Sequence, residues 1–356
     1  MLIWGRIVMK LPLPAVFLLL SVFLGCSSLK KDNKPQPTLD ISASVKDQIG
    51  VYRPLIKAQA DSYGLIRMGG SIGDSALFSC LARAAGALDF DPAVLFKDGK
   101  PLRHPDIKPD ASGGGSPISH DMVNGILWCL YDMHKRGDTD HAINLTKSMI
   151  DFGRAHKKTV GIDVGWMFCT DQDVADYHIS GEDVLGRCFM SPGIVKDIYR
   201  IAKMIGMPCD ADCQYFMAIG PNIPSDETGF KRHLAVIGTV RNGLVEGGIN
   251  DNSLKIVLQK AHEAQPRNAL YQAAYHLYND GVQDDAYRAL TDESLFPRDH
   301  LPTSANYATD YLFQRDDDTA KGPGADWLPD LSGSSESNGR GVDFVFAAAM
   351  ALGEIR

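Results

Sequence analysis

Two aspartates at the starts of predicted helices have the right chemistry for an acid–base pair. Asp74 follows the glycine-rich run 69–73, and Asp121 lies beside His120 at the start of a second helix. If these helices are neighbours, the carboxylates converge at one end of a helical barrel, where one can donate a proton and the other can accept one. His120 is a further candidate base, because an imidazole titrates near neutral pH. We predict Asp74, Asp121 and His120 as the catalytic residues.

The same positions also have a purely structural explanation. Asp74 can cap the helix that follows it, and Ser119 can cap the next helix with Asp121 in its first turn. The run 69–74 is not a nucleotide-binding loop, because no Gly-Lys-Ser/Thr follows it and no strand is predicted before it. Helix cap and catalytic carboxylate are therefore alternatives at both positions.

Polar and aromatic side chains in the long stretches between helices are candidates for substrate binding. An aromatic face can stack on the C–H face of a sugar while a carboxylate binds its hydroxyl groups, and Asp326 beside Trp327 has this composition. The alternative is a tryptophan at the edge of the core and an aspartate that caps the last helix. The predicted substrate-binding residues are Arg103, His104, Tyr177, His178, Arg315, Asp326 and Trp327.

The sequence predicts no metal and no cofactor. It contains no His-Glu-x-x-His pair, no EF-hand loop and no Gly-x-Ser-x-Gly elbow. Cys209 and Cys213 have no histidine at a suitable spacing, so a disulfide between them is favoured over a metal site. Apart from Cys26 the chain has six cysteines, an even number that permits disulfides in an oxidising compartment without choosing among the other pairings.

The N-terminus has the pattern of a bacterial lipoprotein signal. Basic residues precede an apolar run at 11–24, which ends at Gly25-Cys26 before the chain turns polar. A membrane-spanning helix needs about 20 apolar residues, so this run favours a cleaved signal peptide over a permanent anchor. We predict a signal peptide at 1–25, a lipid on Cys26 and a tether at 26–40. No aspartate follows Cys26, which favours the outer membrane of a Gram-negative cell, with the protein facing the periplasm.

The charge of the chain limits its partners. Its formal net charge is −8, and an acidic protein repels the phosphates of nucleic acid. We therefore expect no nucleic acid partner and a membrane contact through the N-terminal lipid alone.

The apolar periodicity predicts a mainly α fold in one domain, residues 41–356. The clearest helix follows Ser191, has Pro192 at its first position and ends at Gly206. Repeated helix hairpins favour an α/α toroid, a complete or incomplete helix barrel, or else an open α-solenoid. Short strands are possible in 159–169 and 234–244. Long irregular loops are expected at 89–117, 170–186, 221–229 and 296–339.

Six short motifs carry a resemblance to a known group of proteins. They are Gly73-Asp74, Arg103-x-Pro105, Ser119-His120-Asp121-Met122, Arg267-Asn268-x-Leu270, Tyr311-Leu312-x-x-Arg315 and Asp326-Trp327-Leu328-Pro329. Over about residues 65 to 350, their layout resembles uncharacterised bacterial α/α-toroid proteins that are similar in outline to toroid glycoside hydrolases and polysaccharide lyases. The resemblance implies a glycan in a central groove, with Asp74 and Asp121 as its carboxylates and Trp327 as a platform. His120 departs from it, since an arginine is expected before Asp121.

A function of another class fits the same pattern. A non-catalytic α-solenoid scaffold in the cell envelope would dock a protein partner on its helix hairpins, and its aspartates would only cap helices. The enzyme predicts that Asp74, Asp121 and Trp327 line one cavity, whereas the scaffold predicts that they are scattered and solvated.

Overall fold

A computed structural model describes residues 41–67, 72–109, 116–219, 229–249, 252–279, 281–302 and 341–355. The described chain is mainly helical, which confirms the predicted fold class. The helices are α1 (Ile41–Lys57), α2 (Ser75–Ala84), α3 (His120–Lys135), α4 (Thr139–Ala155), α5 (Asp171–Asp176), α6 (Gly181–Asp183), α7 (Pro192–Met204), α8 (Ala211–Ala218), α9 (Gly229–Glu246), α10 (Asn252–Ala264), α11 (Ala269–Tyr278), α12 (Asp284–Leu290) and α13 (Val342–Ala351). None of these helices is long and apolar enough to cross a membrane.

Six of the helices contact one another in succession, and the last contacts the first. The order is α2, α3, α7, α9, α11, α13 and again α2. The other long helices pack against members of this series: α1 on α13, α4 on α3 and α7, α8 on α7, α10 on α9 and α11, and α12 on α11 and α13. Every residue of the apolar helix α13 is buried, and Phe346 from it meets Trp128 of α3 edge to face.

Two small antiparallel sheets connect the helices. Strands β1 (Phe96–Lys97) and β2 (Lys100–Pro101) form a hairpin within the stretch 89–117. Strands β3 (Lys157–Val160), β4 (Asp163–Met167) and β5 (Phe189–Met190) pair in that order. The strands expected near 159–169 are therefore present.

Three sequence-based expectations were wrong. The stretch 89–117, expected to be irregular, contains a 3-10 helix, Pro92–Leu95, and the hairpin of β1 and β2. The segment 234–244, considered as a strand, lies inside α9. The stretch 170–186, expected to be irregular, contains α5, α6 and the start of a π-helical turn, Val184–Cys188. In contrast, α7 begins after Ser191 with Pro192 at its first position, and Ile198 and Ile201 on it are fully buried, as predicted.

Three disulfides join all six of the cysteines in the described chain. Cys209 pairs with Cys213, as predicted, and their Cα atoms are 5.2 Å apart. The pairings that the sequence left open are Cys80–Cys129, which joins α2 to α3, and Cys169–Cys188, which joins the ends of β4 and the π-helical turn.

Candidate functional site

Helices α2 and α3 lie side by side and run in the same direction. Gly125 of α3 packs against the backbone of Leu77 in α2, where a Cβ atom would come within 2.4 Å of the Leu77 Cα. Farther along both helices, Cys80 is disulfide-bonded to Cys129. Because residue numbers increase together along these contacts, the N-termini of α2 and α3 lie at the same end of the pair.

This packing brings Asp74 and Asp121 together. Asp74 is the residue before α2, and Asp121 lies in the first turn of α3. The carboxylate of Asp74 makes no capping hydrogen bond, so a helix cap does not account for its burial. The pKa of Asp74 is raised to about 6, mainly by burial and also by the charge of Asp121. A carboxyl group with such a pKa keeps a proton at mildly acidic pH.

Arg103, which the sequence analysis proposed as a substrate-binding residue, lies beside this pair. Its Nη1 donates to the Gly73 carbonyl oxygen at 2.7 Å and is 3.9 Å from an Asp74 carboxylate oxygen. Its Nη2 donates to the Ser116 hydroxyl at 3.0 Å. The guanidinium opposes the rise in the pKa of Asp74 but does not overcome it. Arg103 therefore holds the loop before α2 and supplies positive charge at its edge.

Asp121 and His120 reach a cavity of about 410 Å³, which is within the roughly 300–1,000 Å³ typical of small-molecule sites. The Asp121 carboxylate accepts a hydrogen bond from the Ser119 hydroxyl. The Nε2–H of His120 donates a hydrogen bond to the backbone carbonyl oxygen of Phe189. The cavity lies between α3, α7, α9 and α10. Of the three predicted catalytic residues, Asp121 and His120 line this cavity, and Asp74 interacts with Asp121.

His104 is fully buried behind Arg103. Its Nε2 lies 2.7 Å from an Asp61 carboxylate oxygen, and its Nδ1 accepts from the Asp106 backbone N–H at 3.0 Å. Since a backbone N–H can only donate, the proton of a neutral His104 ring is on Nε2 and points to Asp61. This arrangement holds the 103–106 segment against the loop at 61–67. The structure assigns His104 a supporting position, without access to a substrate.

Tyr177 and His178, two further predicted binding residues, do not line this cavity. Tyr177 is buried after α5 and donates to the Ile107 carbonyl oxygen at 3.3 Å. His178 is exposed in the adjoining turn with a φ of 48°. Cys26, Arg315, Asp326 and Trp327 lie outside the described residues.

The sequence analysis missed a cluster of charged residues in the lining of the same cavity. Asp197 of α7 accepts from Arg241 at 2.8 Å, from Arg200 at 2.8 Å and from Asn242 at 2.9 Å. Arg241 also donates to the backbone carbonyl and the side-chain oxygen of Asn124 in α3. Its only sequence signal is weak: an arginine directly follows the mostly apolar run 236–240.

Replacing Asp121 by Asn should lower the pKa of Asp74 below about 6, because the neighbouring negative charge is removed. The value should stay above the ordinary 3.8, since burial is the larger cause of the shift. The shift can be measured by NMR titration of the side-chain carboxyl carbons. Asp140→Asn, at an exposed position in the first turn of α4, is the control and should leave the titration unchanged. An unmoved pKa in Asp121→Asn would mean that the two carboxyl groups do not interact.

Comparison with known proteins assigns no family to this chain. No model of a known protein family matches it, and no curated protein matches it significantly.

Proposed function

We propose that this protein is an envelope lipoprotein that binds a polysaccharide or cell-envelope glycan and hydrolyses its glycosidic bonds. The observation that carries the proposal is the raised pKa of the partly buried Asp74 beside Asp121, which lines a cavity together with His120. Glycoside hydrolysis requires two carboxyl groups near each other, one of which donates a proton to the leaving oxygen.

The proposed architecture is an α/α toroid. It is supported by the succession of contacts through α2, α3, α7, α9, α11 and α13, because this series returns to α2. The parallel direction of α2 and α3 is also in its favour, since the inner helices of such a barrel are separated in the chain by a returning outer segment. In a toroid, the N-termini of parallel inner helices meet at one end, where they form a single site.

The chemistry assigns one role to each carboxyl group. The protonated Asp74 donates its proton to the glycosidic oxygen as the bond from that oxygen to the anomeric carbon breaks. Asp121 accepts a proton from a water molecule whose oxygen attacks the same carbon. One water is consumed, two sugar chain ends are formed, and the proton on Asp121 returns to Asp74 through solvent. Arg103 holds the loop that carries Asp74.

A role as a mere scaffold gives no reason for the raised pKa of Asp74. The surroundings of this partly buried side chain destabilise its ionised form, and Arg103 at 3.9 Å offsets the effect only in part. Carboxyl groups with strongly shifted pKa values are concentrated at functional sites. The lipid on Cys26 and the location at the outer membrane belong to the proposal and follow from the N-terminal sequence.

The test is product release from a broad panel of purified glycans by the full chain. The wild type should release reducing sugar from at least one glycan, without the ultraviolet absorbance of an unsaturated product. Asp121→Asn should abolish the release, whereas Asp140→Asn, an exposed aspartate at another helix start, should retain it. Lipid attachment is checked by metabolic labelling, which Cys26→Ser should prevent. An unsaturated product would identify elimination with His120 as base, and an inactive wild type on every glycan would leave the envelope scaffold as the better explanation.

A further inference from the structure

The cavity that Asp121 and His120 line has more cationic than anionic side chains, although the protein is acidic. Four of the described lining residues are cationic, Lys196, Arg200, Lys231 and Arg241, and two are carboxylates, Asp121 and Asp197. The side chains of Arg200 and Arg241 are more than nine-tenths buried. A charge in such a position interacts strongly with a ligand, because little water remains to screen it.

Asp197 does not saturate the two guanidinium groups that it joins. It accepts one hydrogen bond from each, and the second carboxylate near them, Glu246, accepts only from Arg200, at 2.7 Å. The Nε–H of Arg241 is buried without a hydrogen-bond partner. Burial also lowers the pKa of Arg241. A buried donor without an acceptor is unfavourable, so the hydrogen-bonding capacity of Arg241 is not filled by the protein alone.

Helix ends add to the positive potential. The residues at the start of α7, Ser191, Gly193 and Ile194, line the cavity together with His120 at the start of α3. The first turn of a helix presents unpaired N–H groups and the positive end of its dipole, so both ends favour an anion. The guanidinium pair and the helix ends thus select the same kind of ligand group.

We propose that this cavity binds the anionic group of an acidic sugar residue, a carboxylate or a sulfate, through Arg200 and Arg241. The inference deepens the proposed function and rests on it only for the ligand being a glycan. An anion held by Arg200 and Arg241 would lie in the same cavity as Asp121. The substrate class is therefore an acidic polysaccharide.

The experiment compares acidic oligosaccharides with neutral counterparts of the same backbone. Oligogalacturonate, oligoalginate and a hyaluronan tetrasaccharide are each paired with the carboxyl methyl ester, and a sulfated galactan oligosaccharide is paired with its desulfated form. Binding to the full chain is measured by calorimetry in the wild type and in Asp74→Asn, in which the ligand is not consumed. At least one acidic member should bind at least tenfold more tightly than its neutral counterpart, and the pair that does so identifies carboxylate or sulfate.

The arginine is then tested directly. Arg200→Gln should weaken binding of that ligand at least tenfold, whereas Arg288→Gln, a 71% exposed arginine on α12, should leave it unchanged. If no acidic member binds better than its neutral counterpart, the inference is overturned, and this comparison needs only the wild type. Cleavage of a neutral glycan alone would overturn the inference and retain the proposed hydrolase. Selective binding of an acidic glycan without cleavage would do the reverse.

Discussion

Replacing Asp74 by Asn should lower kcat/KM for glycan hydrolysis by about 10²–10⁴-fold, the range for removal of a general acid. An amide has nearly the same shape as a carboxyl group but cannot donate an acidic proton to the leaving oxygen. The rate is measured on the glycan that the wild type cleaves, with Asp140→Asn as the exposed control. Activity within a factor of two of the wild type would exclude Asp74 as the acid.

The same substitution should make the protein more stable at neutral pH, which separates loss of chemistry from loss of fold. The pKa of Asp74 rises from 3.8 to about 6 on folding, so the native state holds a proton that the unfolded state has released. The stabilising effect of that proton is complete below pH 3.8 and is lost as the pH rises through about 6. Above this window, Asp74→Asn should be more stable than the wild type by up to about 3 kcal/mol. Urea unfolding at acidic and at neutral pH measures the difference, which should vanish at the acidic end.

The protonation of Asp74 also predicts the alkaline limb of the pH–rate profile. Hydrolysis requires the protonated acid, so kcat/KM should fall as the pH rises through about 6. A profile that stays flat well above neutral pH would contradict the assignment of Asp74 as the acid.

The sequence predicted that Asp74 and Asp121 converge only on the condition that their two helices are neighbours. Both residues lie at helix starts that the sequence marks clearly. Their meeting depends on α2 and α3 being parallel neighbours, and that packing rests on Gly125 and on the pairing of Cys80 with Cys129. Neither contact has a local signal, since a glycine inside a helix and a cysteine with several possible partners are each compatible with many arrangements.

Local sequence patterns could not predict the buried ion pair between Arg241 and Asp197 in the cavity. The run 234–244 contains several β-branched residues, which favour a strand by their own propensity, yet it is part of α9 because packing against α7, α10 and α11 decides its conformation. If this run is assigned to a strand, Arg241 is not expected on the face of a helix. Its partner Asp197 is 44 residues away in the chain, and no spacing rule connects the two. Buried ion pairs between distant helices are therefore the part of this site that only the folded chain reveals.

Gly125→Ala should destabilise the protein, although alanine has the higher helix propensity. The substitution adds about 1 kcal/mol of propensity, but the new Cβ would lie 2.4 Å from the Leu77 Cα and 2.9 Å from the Ala76 carbonyl oxygen. Both atoms belong to the backbone of α2, so they cannot move aside without moving the helix. Overpacking of this kind costs about 1–3 kcal/mol or more, and it exceeds the gain in propensity.

Gly50→Ala is the matched control, because Gly50 lies in α1 and a Cβ there has no neighbour within 4 Å. It should stabilise the protein by about 0.5–1 kcal/mol, so the two substitutions should change the urea midpoint in opposite directions. Stabilisation by both would show that α2 and α3 are not in close contact. If α2 moves away from α3, Asp74 moves away from Asp121 as well. A displacement of about 1 Å at a catalytic group can cost about 10²-fold in rate, so Gly125→Ala should reduce hydrolysis even under conditions where the variant is fully folded.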